Sequence, residues 1–158
     1  MIELTQFKDE QDFRACALLM SRSEPWITLQ RNYEKCLQSL HGDFKEKYMV
    51  TENNEFAGFV ILQIVGSFKG YIQTICIKPE YRNQGIGTTV LKLCEERISK
   101  ISSNIFMCVS SFNDKAQKLY FSLGYEQVGE LKDFIIEGHS EYLLRKIIGK
   151  GNSGKLTK

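Results

Sequence analysis

The sequence predicts an α/β chain: one mixed, mostly antiparallel sheet of about seven strands, carrying about four helices. Three observations predict it. Tyr48 to Ile77 reads as three strands joined by short turns, which is an antiparallel meander. Tyr71 to Thr88, YIQTICIKPEYRNQGIGT, runs from a strand through Lys78-Pro79-Glu80 to a glycine turn and into a helix. Ile105 to Val109 follows that helix as another strand, and this order with short loops makes a parallel pair by a right-handed crossover.

Ile2 to Phe7 (IELTQF) alternates apolar and polar residues and predicts the first strand. From Gln11 to Arg22, the residues Phe13, Ala17, Leu18 and Met20 follow helical spacing. Ser23-Glu24-Pro25-Trp26 interrupts that helix, because a residue before proline disfavours the helical region. A second helix is expected over Leu29 to Leu40, with Tyr33, Cys36, Leu37 and Leu40 on one stripe and Gly42 as its stop. Tyr48 to Thr51 is the next strand, Asn53-Asn54 a turn, and Phe56 to Val65 a longer strand. Its segment FAGFVILQIV is apolar almost throughout, as strands covered on both faces are.

The helix after the glycine turn, about Gly85 to Ile101, places Ile86, Val90, Cys94 and Ile98 on one face. Asn113 to Leu123 is a short helix ended by Gly124. Tyr125 to Val128 and Leu131 to Ile136 read as extended, Gly138 as a turn, and Ser140 to Ile147 as the strand that completes a hairpin. Residues 1–148 then form a single domain. The tail 149–158, GKGNSGKLTK, has Leu156 as its one apolar side chain and is expected to be disordered.

Bulk composition narrows the function classes. The 21 basic and 19 acidic residues nearly cancel, leaving +2, which argues against a nucleic-acid binder with its concentrated basic surface. No apolar run approaches the roughly 20 residues that cross a bilayer, and MIELTQFKDE lacks a basic-then-apolar signal pattern. Cys16, Cys36, Cys76, Cys94 and Cys108 are odd in number and widely spaced, with no short pair for zinc or redox work. A cytoplasmic protein without a metal, a membrane or a nucleic-acid partner is expected.

The glycine turn carries the chemistry. Backbone N–H groups at a helix start are unpaired, and the aligned peptide dipoles add roughly half a positive charge there, which suits a phosphate. Gly85 and Gly87 leave the backbone open to a bulky diphosphate, and Arg82 brings a permanently charged fork to the same turn. The plain alternative is a tight turn before a helix, with Arg82 a surface cation.

Arg82-Asn83-Gln84-Gly85-Ile86-Gly87, set in the order βααβββαβαββ, resembles the GCN5-related N-acetyltransferases. That family has Arg or Gln, two residues, Gly, one residue, then Gly or Ala here, and this chain matches every fixed position. A second match runs from Asn113 through Ala116, Leu119-Tyr120 and Gly124-Tyr125. Together the two motifs and the strand order cover Ile2 to Ile147. The resemblance implies the GNAT fold, in which the two central parallel strands splay and acetyl-CoA wedges between them.

Carried over by position, the N–H groups of Gln84, Gly85, Ile86, Gly87 and Thr88 would cradle the CoA diphosphate, with Arg82 and Asn83 beside them. Ile75, Cys76 and Ile77 would pair through their backbone with the pantetheine arm, and an N–H near Ile75 or Ile77 would polarise the thioester carbonyl. Asn113 would hold the arm from the other side, and Tyr120 would protonate the departing thiolate. Each has a structural reading too: Asn113 as an N-cap, Tyr120 as a core tyrosine, and Cys76 and Cys108 as packing residues.

A primary amine is protonated near neutrality and must lose a proton before it attacks. Many relatives carry a glutamate on the central strand, where this chain has Tyr71, Gln73 and Thr74. Glu24, in the link expected to face the acceptor cleft, is the leading candidate base, although a helix-capping or solvated carboxylate is the reading favoured for it, and His139 and Glu141 are weaker candidates. Trp26, Tyr33, Phe68 and Tyr71 are candidate acceptor-side aromatics. The expected function is acetyl-CoA-dependent transfer to a primary amine in a ternary complex: a small molecule, a peptide N-terminus or a lysine. A non-catalytic CoA-binding sensor and a longer-chain acyltransferase are the alternatives. Many relatives dimerise through late strands, and a homodimer stays open.

Overall fold

Four strands pair in sequence, each antiparallel to the last: β1 (Ile2–Gln6), β2 (Lys45–Glu52), β3 (Glu55–Gln63) and β4 (Tyr71–Ile77). They come from a computed structural model that describes residues 1–148. The polar tail expected to be disordered lies outside the described residues. Asn53 and Asn54, both with positive φ, make the two-residue turn between β2 and β3. Three further strands, β5 (Asn104–Ser110), β6 (Glu126–Leu131) and β7 (Glu141–Ile147), complete one sheet in the order β1-β2-β3-β4-β5-β7-β6. Its one parallel pair is β4–β5, and this is the mixed, mostly antiparallel sheet the sequence predicts.

Two helices cover each face. Cys16, Ala17 and Met20 of α1 (Glu10–Ser21) and Cys36 and Leu40 of α2 (Tyr33–Leu40) pack with Phe59 and Ile61 of β3. Val90, Leu91, Cys94 and Ile98 of α3 (Ile86–Ser99) pack with Val60 and Leu62 on the other face, joined by Ala116 and Tyr120 of α4 (Asp114–Ser122). Every residue from Ala57 to Leu62 is therefore buried, as an apolar run covered on both faces should be.

Gly58 is required by the closeness of β4. A Cβ built there would stand 2.3 Å from the Cys76 carbonyl oxygen and 3.0 Å from Ile77 Cα. Backbone must move to admit it, so Gly58→Ala should lower unfolding free energy by roughly 1–3 kcal/mol, the usual range for overpacking. Urea denaturation of the two proteins measures the difference.

Two expected elements are corrected. The second helix does not begin at Leu29: Gln30 turns left-handed at φ 55°, and the Asn32 side chain caps the helix by accepting from the Lys35 N–H at 2.9 Å. The preceding stretch from Arg22 is turns instead, with a cis peptide bond at Glu24-Pro25. Leu131 to Ile136 is not a strand past Leu131 either. Asp133 has φ 53° and its carboxylate accepts from the Gly138 N–H at 2.7 Å, folding the segment into a loop.

Candidate active site

The parallel pair is short. Only Tyr71 and Ile72 of β4 find register partners on β5, Phe106 and Met107, and beyond them the strands part. A β-bulge prepares the parting: Ile72 faces Leu62 and Thr74 faces Ile61, leaving Gln73 as an extra residue. The alternation of side chains reverses across it. Ile72 shares the α3 face with Ile75 and Ile77, whereas Cys76 packs against α1 and α2. The Lys78 N–H donates to the Ala57 carbonyl of β3 at 2.8 Å, so alternation turns the amides of Ile77 and Ile75 toward the gap.

The gap is a cleft of about 590 Å³. One wall is the β4 edge and the start of α3, and the other is β5 and α4. Gly85 holds φ 77° as the N-cap of α3 and offers no side chain to the helix amides. Cβ atoms built on Gly85 and Gly87 meet nothing within 4 Å, so the first turn of the helix is bare backbone facing the cleft.

Ile75, Cys76, Ile77, Arg82, Asn83, Gly85, Ile86, Gly87 and Thr88 line this cleft, as do Glu24, Asn113 and Tyr120. Gln84 does not, and its side chain donates to the Glu80 carbonyl instead. The Arg82 fork is partly committed: Nε donates to the Ile77 carbonyl at 2.9 Å and an Nη to Ser23 Oγ at 3.3 Å, tying the α1–α2 link to the end of β4. Asn113 caps α4 through the Ala116 N–H at 3.3 Å while lining the cleft, so both of its readings coexist.

Tyr120 projects from α4 with its ring edge-on to Tyr125 at 6.2 Å. Its hydroxyl has no hydrogen-bond partner among the described residues, and burial pushes its pKa up to about 12. Cys76, Cys94 and Cys16 are buried thiols whose pKa values burial raises, Cys76 to about 11 and Cys94 to about 12, which suits packing rather than nucleophilic work.

Gln73 is spent on structure. Its Nε2 donates to the Ser39 carbonyl at 2.9 Å and its Oε1 accepts from Gln63 at 3.0 Å, clasping α2 to the sheet. Of the candidate acceptor aromatics, Trp26 and Tyr71 line the cleft. Tyr33 packs against the cluster that α1 and α2 form with the sheet, and Phe68, 53% exposed, meets Phe106 edge to face. His139 meets Phe112 edge to face outside the cleft lining.

Two residues gain weight. Lys115 lines the cleft from the first turn of α4, and its Nζ donates to Asn83 Oδ1 across the mouth above the glycines. A lysine two residues after Asn113 is the sequence signal that could have found it. Glu141 opens β7 opposite Ser110 of β5, lines the cleft and is only 6% exposed. Glu24, by contrast, sits exposed at the rim, accepting distantly from the Thr28 N–H at 3.4 Å.

A family profile described as the GNAT acetyltransferase family matches residues 10–125. The thialysine N-epsilon-acetyltransferase of Bos taurus is 34% identical over 84 residues, 51% of this chain and 48% of that one. The ribosomal protein bS18-alanine N-acetyltransferase of Escherichia coli is 30% identical over 95 residues, 60% of this chain and 64% of that one. The chain thus spans about half the length of the bovine relative it matches. The crystal structure of the Escherichia coli enzyme superposes with a TM-score of 0.74 at 20% identity, covering 98% of this chain and 99% of that one. Spermidine N-acetyltransferase from Vibrio cholerae, solved with CoA and spermine, superposes with a TM-score of 0.70 at 19% identity over 92% of this chain and 95% of that one.

Proposed function

The chain belongs to the GNAT acetyltransferase family, and from that premise we propose that it transfers an acetyl group from acetyl-CoA to a primary amine, directly and within one ternary complex. One observation carries the proposal: the unpaired β4 edge leads straight to the bare N-terminus of α3 inside a single cleft that also holds Tyr120. An extended arm ending in a diphosphate fits that path, arm on strand and phosphates on helix start.

In this reading the amides of Ile86, Gly87 and Thr88, with the N-cap Gly85, hold the diphosphate, and the free part of the Arg82 fork adds positive charge. Gln84 contributes backbone alone. Lys115 leaves Asn83 to reach the same phosphates. Ile75 and Ile77 pair with the arm by their cleft-facing amides, and Cys76 packs behind them. One of those two amides is the donor for the carbonyl oxygen, where charge builds on attack. Asn113 turns its amide nitrogen to the arm from α4. Acetyl-CoA, when bound, supplies the activated acyl carbon and a thiolate leaving group.

Tyr120 stands by the departing sulfur as proton donor, and Glu24 draws a cationic amine to the rim. Five cysteines free of disulfides, four of them buried, support a reducing cytoplasmic setting.

A thiol-release screen over thialysine, polyamines and peptides with a free N-terminus tests the proposal. Release of CoA with at least one amine is expected. Tight acetyl-CoA binding with no turnover across the screen would replace it with the CoA-binding sensor reading.

A further inference from the structure

The geometry points to Glu141 as the base that takes the proton from the acceptor ammonium; this rests on the transferase reading above and supplies its missing group. Glu141 stands at the cleft end of β7, and its carboxylate is in no ion pair among the described residues. Oε2 is buried, and the side chain that approaches it for a hydrogen bond is Ser110 Oγ on the adjoining strand, itself buried with no other partner among the described residues. A buried acceptor without a full set of protein partners is costly and calls for a water, an ion or a substrate group to complete it.

The groups facing it are few. The Tyr71 phenol comes from β4, the Cys108 thiol and Ser110 hydroxyl from β5, and the His139 imidazole from the loop before β7; its register partner on β6 is Leu131. Of these only the His139 imidazole can become cationic, and no lysine or arginine is among them. Burial raises the Glu141 pKa from its ordinary value, with Ser110 and His139 only partly offsetting the rise. A raised pKa makes a carboxylate a stronger base. Glu24 is exposed at the rim and lacks this environment.

The ammonium nitrogen gives its first proton to Glu141, which passes it to solvent. The nitrogen–carbon bond forms and the carbon–sulfur bond breaks. The nitrogen's second proton ends on sulfur through the Tyr120 hydroxyl, which gives its own and regains one. No oxidant or other reactant is needed.

The test compares wild type with Glu141→Gln and Glu141→Asp, using butylamine at high concentration as an acceptor that needs no specific recognition. Wild-type kcat/KM should level off near neutrality, because the ammonium form binds and is deprotonated in place. Glu141→Gln should be slower by about a hundredfold near pH 7. Its rate should then climb about tenfold per pH unit toward the amine pKa of about 10.4, closing the gap as free amine appears. Glu141→Asp should recover part of the loss.

A second readout needs no turnover. A carboxyl whose folded pKa is raised stabilises the fold below its unfolded pKa, and that contribution is lost as pH rises through the folded value. Glu141→Gln should therefore raise Tm at about pH 8 and leave it unchanged at about pH 4. A Glu141→Gln rate equal to wild type, or lower by the same factor at every pH, would overturn the base role alone. No Tm difference between the two pH values would overturn it as well. A wild type inert toward every amine would overturn the transferase reading itself.

Discussion

A Gly87→Glu protein should fold at least as well as wild type and lose acetyl-CoA. The position lies one residue inside α3, and a Cβ there meets nothing within 4 Å, so the side chain starts in open space. Its φ is not in the left-handed range, so no backbone strain follows. Replacing a helical glycine gains roughly 0.5–1 kcal/mol. A carboxylate in the first turn adds a further ~0.3–1 kcal/mol through the helix dipole. The same carboxylate fills the space, and repeats the charge, that a diphosphate would bring. Like charges set side by side cost several kcal/mol, which is a loss in affinity of about a hundredfold or more. Calorimetric titration with acetyl-CoA, beside a melting curve, separates the two effects. Unchanged binding would remove the α3 N-terminus as the phosphate site.

Tyr120→Phe should do the reverse, sparing acetyl-CoA binding and lowering kcat by about a hundredfold, the low end for a positioned proton donor. The ring keeps its packing against Tyr125 and only the hydroxyl is lost. With its pKa pushed up to about 12, the phenol is protonated throughout the working range, so it is always ready to donate. It contributes no alkaline limb below that pH. Full ionisation toward a thiolate of ordinary pKa about 8.5 would be uphill, so the hydroxyl acts as a relay that gives and regains a proton together. Single-turnover rates measured alongside the dissociation constant test this. Equal rates in the two proteins would leave Tyr120 a packing residue.

The sheet and its helices were legible because their signals are local. Within Phe56 to Val65 the unbroken apolar run Ala57 to Leu62 suits a strand covered on both faces, although the strand ends at Gln63 and Val65 is exposed, and Gly42 and Gly124 punctuate as glycines do. The misread segments were those where a single side chain overrode periodicity. Asn32 capped a helix that the apolar stripe would start earlier, and Asp133 closed a loop where Phe134 and Ile135 resemble a strand.

At the site, the contiguous motif from Arg82 to Thr88 could be read directly, because one loop builds it. The ranking of the candidate bases could not. Glu24 and Glu141 look alike in a sequence, and what separates them is burial, set by how β7 lies against β5. Gln73 needed the structure too, since its partners Ser39 and Gln63 lie far off in sequence.

The two-residue contact between β4 and β5 makes the sheet mechanically a pair of plates on a short hinge. Whatever lies along the gap also stiffens the joint, acting as the strand the sheet lacks. Filling the cleft and bracing the molecule are then one event, and product departure would return compliance to the frame.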